Sequence, residues 1–148
     1  MLADLTGIRN LLATYAECID NGDLDALAHL FEHAVMRTDR NPEGYVGETA
    51  VREMQRRFVT LYDGRPATKH VTTNIAVTFA DADRASVRSS FSVYQCLPDF
   101  PLQVVIAGTY CDTLVRDGDG WRFAERLIHA ELIGDLRYHV PALMPRES

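Results

Sequence analysis

The chain has 148 residues, of which 47% are apolar (AVILMFWYC) and 24% charged. That length suits one domain able to bury a core without disulfides or a structural metal, and the composition excludes a disordered or fibrous chain. Lys plus Arg number 15 against 21 Asp plus Glu, a net charge of -6, and no basic cluster stands out, which argues against a nucleic-acid partner. No apolar run approaches the roughly 20 residues of a membrane span, and the start MLADLTGIRN lacks the apolar stretch of a secretory signal, so a cytoplasmic protein with no membrane partner is expected. Cys18, Cys96 and Cys111 form an odd set without CxxC spacing; they fit a reducing compartment and read as small core residues.

Leu5, Ile8, Leu12, Tyr15 and Ile19 recur at steps of three and four and predict a helix from about residue 4 to 20, stopped by Asn21-Gly22. Asp23 is placed to cap a second, shorter helix carrying Leu24, Leu27, Leu30 and Phe31 on one side. Val51, Met54, Phe58 and Leu61 predict a third helix, begun near Thr49 and ended by the turn Asp63-Gly64-Arg65-Pro66. The period then changes to two. From Lys69 to Phe79, Val71, Ile75, Val77 and Phe79 fall on one face and His70, Thr72, Asn74 and Thr78 on the other. Further strands are expected over Ser86 to Cys96 and Gln103 to Arg116, separated by a break from Leu97 to Pro101. A last strand runs from Trp121 to about Ile133, after the hairpin signal Asp117-Gly118-Asp119-Gly120. The reading is an α+β chain, three N-terminal helices packed in a strongly bent, mostly antiparallel sheet with a cavity between them. Residues 1–140 form one domain and 141–148 a loose C-terminal tail.

The order helix, helix, short strand, helix and four long strands resembles the cone-shaped fold of nuclear transport factor 2. Within that superfamily the chain is similar to the SnoaL-like group, which includes scytalone dehydratase, bile-acid 7α-dehydratase and hexachlorocyclohexane dehydrochlorinase. The matching runs are Tyr15-Ala16-Glu17-Cys18-Ile19-Asp20 with Gly22-Asp23, then Lys69-His70, Ala107-Gly108-Thr109-Tyr110 and Gly120-Trp121-Arg122-Phe123. The resemblance implies an Asp/His pair at Asp20 and His70, an active-site tyrosine at Tyr15 and a functional arginine at Arg126. Tyr110 stands where scytalone dehydratase has an asparagine, and that enzyme's second histidine has no counterpart between Ser86 and Cys96, so scytalone is a poor substrate guess. Asp39 and Tyr15 also match the base and oxyanion tyrosine of ketosteroid isomerase.

Abstracting a proton next to a carbonyl and expelling a leaving group from the adjacent carbon needs a base that is neutral near pH 7. Histidine supplies it. Asp20 would fix the His70 tautomer and stabilise the imidazolium, and Tyr15 with Arg126 would hold the developing enolate oxygen or the departing group. No metal or organic cofactor is required. Phe31, Met36, Asp39, Met54, Phe58 and Tyr110 are expected to contact a small apolar molecule. Each also has an ordinary structural reading: Asp20 as a solvated helix end, His70 as an exposed strand histidine, Arg126 as a surface arginine. His29 and His33 have the i, i+4 spacing of zinc sites but lack a further ligand, and read as surface residues. His129 and Glu131 alternate on one strand face and read as structural. The favoured function is a cofactor-independent dehydratase or related β-eliminase on an apolar cyclic compound. The alternatives are a ketosteroid-type isomerase using Asp39, or a non-catalytic small-molecule binder. Val104, Ile106, Leu114 and Leu127 are offered as a subunit contact, for a homodimer or homotrimer.

Overall fold

The computed structural model describes residues 1–144. Helices α1 (Leu2–Asp20) and α2 (Leu24–His29) come first, then strands β1 (Val35–Thr38) and β2 (Asn41–Val46), helix α3 (Gly47–Phe58), and strands β3 (Thr68–Phe79), β4 (Arg84–Leu97), β5 (Phe100–Asp117) and β6 (Gly120–Ile133). Ile8, Leu12, Tyr15 and Ile19 bury the predicted stripe of α1. The helix stops before Gly22, whose φ is +71°. A Cβ there would strike the Gly64 carbonyl, so a glycine lets the end of α1 lie against the turn before β3. Asp23 caps α2, accepting from the Ala26 amide at 3.0 Å.

Two boundaries differ from expectation for tertiary reasons. Helix α3 begins at Gly47 and ends at Phe58, short of the Asp63 turn, because the Thr60 amide is taken by the His139 carbonyl at 2.9 Å. The single short strand expected before α3 is a hairpin, β1 paired with β2. The sheet order is β2-β1-β6-β5-β4-β3, with β1 and β6 parallel and every other pair antiparallel. The α+β class and the β3 to β6 meander therefore stand as read from the sequence.

Bulges decide which side chains face the helices. In β3 two residues, Asn74 and Ile75, stand between the pairs Thr73 to Ser90 and Ala76 to Arg88, where β4 supplies only Ser89. Asn74 takes a φ of +53° to allow it. One extra residue inverts the alternation. His70 and Thr72 therefore pair with the buried Val93 and Phe91, while Val77 and Phe79 pair with the buried Val87 and Ala85. His70 thus lies on the same concave face as Ile75, Val77 and Phe79, not on the opposite one as alternation implied. A second bulge at Ala124 does the same in β6, between Glu125 paired to Thr113 and Phe123 paired to Leu114. It turns Arg126 inward with Trp121 and Phe123. Gly108 marks the bend of β5, where a Cβ would collide with the His129 carbonyl and the Phe91 ring. The sheet curls around the helices as a result, and the core of Ile8, Leu12, Leu27, Phe31, Val51 and Phe123 fills one end of the curl.

The proposed contact set divides. A bulge at Val105 leaves Val104 exposed but turns Ile106 inward, and Leu114 is fully buried between Ala85 and Phe123. Neither Ile106 nor Leu114 is available to a partner. The cysteines are free; Cys18 is half-buried and packs against the core, whereas Cys111 is half-buried and Cys96 exposed, so the core reading fits Cys18 alone. Among the described residues no helix is long and apolar enough to cross a membrane. Of the tail expected over 141–148, Pro141–Leu143 form a 3-10 turn whose Ala142 and Leu143 carbonyls accept from the Arg40 guanidinium. Residues 145–148 lie outside the described residues.

Candidate active site

Asp20 is the last residue of α1, where the helix's partial negative charge disfavours a carboxylate. Three donors from β3 offset that. The His70 amide reaches Oδ2 at 2.8 Å, the Thr68 hydroxyl reaches Oδ1 at 2.9 Å, and the His70 ring Nδ1 stands 2.6 Å from Oδ1. The side chains are only 7% (His70) and 15% (Asp20) exposed, so water competes weakly for these bonds. A carboxylate only accepts, so His70 presents Nδ1–H to it, and in the neutral ring the lone pair is on Nε2. In chemical terms the arrangement suits a histidine base with an acid support.

The His70 ring borders a cavity of about 320 Å³ enclosed by α1, α3, the curled sheet and the chain after β6. Tyr15, Met36, Asp39, Met54, Phe58 and Tyr110, all named from the sequence, line it too. Burial raises the Tyr15 phenol above its ordinary value, although the Arg126 guanidinium pulls the other way, and burial holds Tyr110 well above its own. Both phenols keep their protons at neutral pH and are hydrogen-bond donors.

Two expected contacts stand behind the wall. Phe31 is fully buried, stacked on Phe123 with ring centroids 4.9 Å apart, and backs Tyr15 rather than bordering the cavity. Arg126 is fully buried as well. Its Nε and Nη2 both meet the Asp112 carboxylate at 2.8 Å, and its guanidinium lies over the rings of Tyr110 at 3.8 Å and Tyr15 at 4.3 Å. Burial opposes the charge, yet Asp112 beside it raises the Arg126 pKa above its ordinary value. The arginine is committed to Asp112 and to supporting the two tyrosines.

Asp39 borders the cavity at its more exposed side. Its Oδ1 stands 2.7 Å from His129 Nδ1, and its Oδ2 accepts from the Ala130 amide at 3.0 Å. Contrary to the expectation that His29 and His33 lack a further ligand, both approach one Glu32 carboxylate oxygen, at 3.9 and 3.8 Å, and His29 Nδ1 also lies 3.2 Å from Glu48, a largely exposed surface cluster away from the cavity.

Sequence reasoning missed two buried polar groups of the lining, Gln55 and His139. Gln55 sits on α3 among apolar neighbours; its Nε2 meets only the Met36 sulfur at 3.9 Å, and its Oε1 has no partner among the described residues. His139 follows β6 in a segment without periodicity, so no pattern marked it. Its ring stands edge-to-face on His70, with centroids 5.5 Å apart. Burial, with the nearby His70 adding to it, pushes His139 down to about 3. The orphaned amide oxygen in an otherwise helical stripe was the one available signal for Gln55, and it needed the fold to be seen.

Comparison with known proteins places this arrangement. Residues 1–127 match the SnoaL-like domain. No curated protein matches the chain by sequence. Among solved structures, the chain is similar to the Mycobacterium tuberculosis protein of unknown function Rv3472, at 27% identity and a TM-score of 0.70, over 87% of this chain and 72% of that one. A candidate scytalone dehydratase from Novosphingobium aromaticivorans is 23% identical with a TM-score of 0.69, over 86% of this chain and 84% of that one. An NTF2-like protein with a cystatin-like fold from the same organism is 23% identical with a TM-score of 0.73, over 98% and 91%. The last two likenesses establish the NTF2-like fold alone. With most of the chain matched to one domain, and the matched span holding Asp20, His70, Tyr15 and Arg126, the protein belongs to the SnoaL-like family.

Proposed function

We propose that the protein is a cofactor-independent lyase that removes water, or a related leaving group, from a compact apolar cyclic compound bearing a carbonyl. The reading is carried by His70, which borders an apolar cavity while Asp20 holds its Nδ1 from behind. His70 Nε2 takes the proton from the carbon next to the carbonyl, and the C–H electrons pass toward the carbonyl oxygen as the enolate. The electrons return to form the C=C bond, and the hydroxyl on the adjacent carbon departs with its bonding pair. It collects the proton now on His70 and leaves as water, so the imidazole is restored. Asp20 stabilises the transient imidazolium, and the protonated phenols of Tyr15 and Tyr110 receive the departing oxygen. The cavity lies at the small end of the roughly 300–1,000 Å³ of ligand pockets, which favours one or two fused rings.

The test uses 3-hydroxy-1-tetralone, whose loss of water yields 1-naphthol. The wild-type protein is expected to form 1-naphthol, and His70→Ala and Asp20→Asn to lower kcat/KM by roughly 10²–10⁴. Equal turnover in all three proteins would remove the Asp/His pair from the chemistry.

A further inference from the structure

The mechanism leaves His139 unused, although the residue is only 3% exposed and borders the same cavity as His70. Its backbone is fixed, since its amide donates to the Leu136 carbonyl at 3.1 Å and its carbonyl accepts from Thr60 at 2.9 Å. Its Nδ1 is sealed from water with no partner among the described residues. An N–H buried without an acceptor is costlier than a lone pair buried without a donor, so the proton belongs on Nε2, leaving a bare Nδ1. The two rings then present opposite faces of the same chemistry. His70, with Nδ1–H given to Asp20, offers a lone pair; His139 offers an N–H.

A base beside a donor, on rings 5.5 Å apart, matches a carbonyl and the C–H next to it. We propose that His139 is a further catalytic residue, a neutral imidazole whose Nε2–H donates to the substrate's carbonyl oxygen while His70 takes the neighbouring proton. The inference rests on the elimination reading and names the group that reading left without a carbonyl donor. Burial and the adjacent His70 keep His139 uncharged through the neutral range, so it polarises the oxygen without contributing a proton of its own. The ligand class follows: a fused-ring ketone is preferred to the same hydrocarbon lacking oxygen.

The experiment compares 1-tetralone with tetralin by calorimetry, and follows deuterium entry at C2 of 1-tetralone in D2O. The wild type is expected to bind 1-tetralone at least about tenfold tighter than tetralin, the worth of one buried hydrogen bond. His139→Leu should bring the ratio of 1-tetralone to tetralin affinity down to about one, and His139→Gln, which keeps an N–H donor, should restore most of that ratio. Imidazole ¹⁵N shifts of the wild type should report Nε2–H on His139 from pH 5 to 9, a readout indifferent to folding of the variants. A preference for 1-tetralone that survives His139→Leu, no preference in the wild type, or an Nδ1–H tautomer would overturn the proposal. Preference without deuterium exchange would instead leave His139 as the carbonyl contact and remove the elimination reading.

Discussion

The side chains of Arg126 and Asp112 are fully buried and doubly hydrogen-bonded to one another. Such a pair adds little net stability over an apolar replacement, but removing one partner strands the other charge. Asp112→Asn is expected to cost about 3–5 kcal/mol in urea unfolding, and Arg126→Met with Asp112→Leu much less. Arg126→Lys should not rescue, since an ammonium reproduces neither the two parallel bonds nor the contact with the Tyr110 face. His139 governs a second prediction. Its folded pKa lies below its unfolded one, so the stability of the neutral buried form is present above pH 6.5 and is lost as pH falls toward about 3. Between pH 7 and pH 5 the loss through this group is about 2 kcal/mol. His139→Gln should flatten that part of the pH dependence, measured by urea midpoints at the two pH values. Asp39 separates the rival chemistries: Asp39→Asn should leave 1-naphthol formation within about threefold, since neither proton transfer in the proposed route passes through it.

At the level of elements, the bulges carry the site. Without the extra residue in β3, strict alternation would put Val71, not His70, on the face of Val77 and Phe79. Deleting Asn74 therefore should slip one half of β3 against β4 and break the hydrogen bonds of Thr68 and His70 to Asp20, seen as loss of the low-field His70 Nδ1 proton. Asn74→Gly should be tolerated, because φ of +53° costs glycine nothing, whereas Asn74→Val should destabilise by about 1–2 kcal/mol. The Ala124 bulge has the same role for Arg126 in β6. Much of the element plan was legible in advance, including the stripe of α1, the Asp23 cap and the meander. Periodicity counts residues along one strand, however, and a bulge is a mismatch between two strands. Neither His70 nor Arg126 could be assigned to the inner face from its own neighbours, so alternation alone misplaced both.

For the molecule as a whole, the segment after β6 closes the cavity and is held by few bonds. The Tyr62 hydroxyl and Gln95 amide donate to the Tyr138 carbonyl at 2.7 and 2.9 Å, and Arg40 holds the carbonyls of Ala142 and Leu143. Arg40→Ala combined with Tyr62→Phe removes three of these bonds. At about 1 kcal/mol each, amide exchange across residues 139–144 should quicken by roughly 150-fold while β4 and β5 keep their protection. Ligand affinity should fall with it, since Val140, Ala142 and Leu143 line the cavity.

Taken by itself, the order of amino acids determined the class of fold, the end of α1, the cap of α2, the hairpin turn before β6 and the residue types from which a base could be made. These depend on local propensity and on burial periods within single elements. Folding in three dimensions decided which of those residues meet: Asp20 with His70 across 50 positions, Arg126 with Asp112, and His139 beside His70. The physical reason is that hydrogen-bond partners and cavity walls are set by register, bulges and the return of the chain end, none of which leaves a period in the sequence.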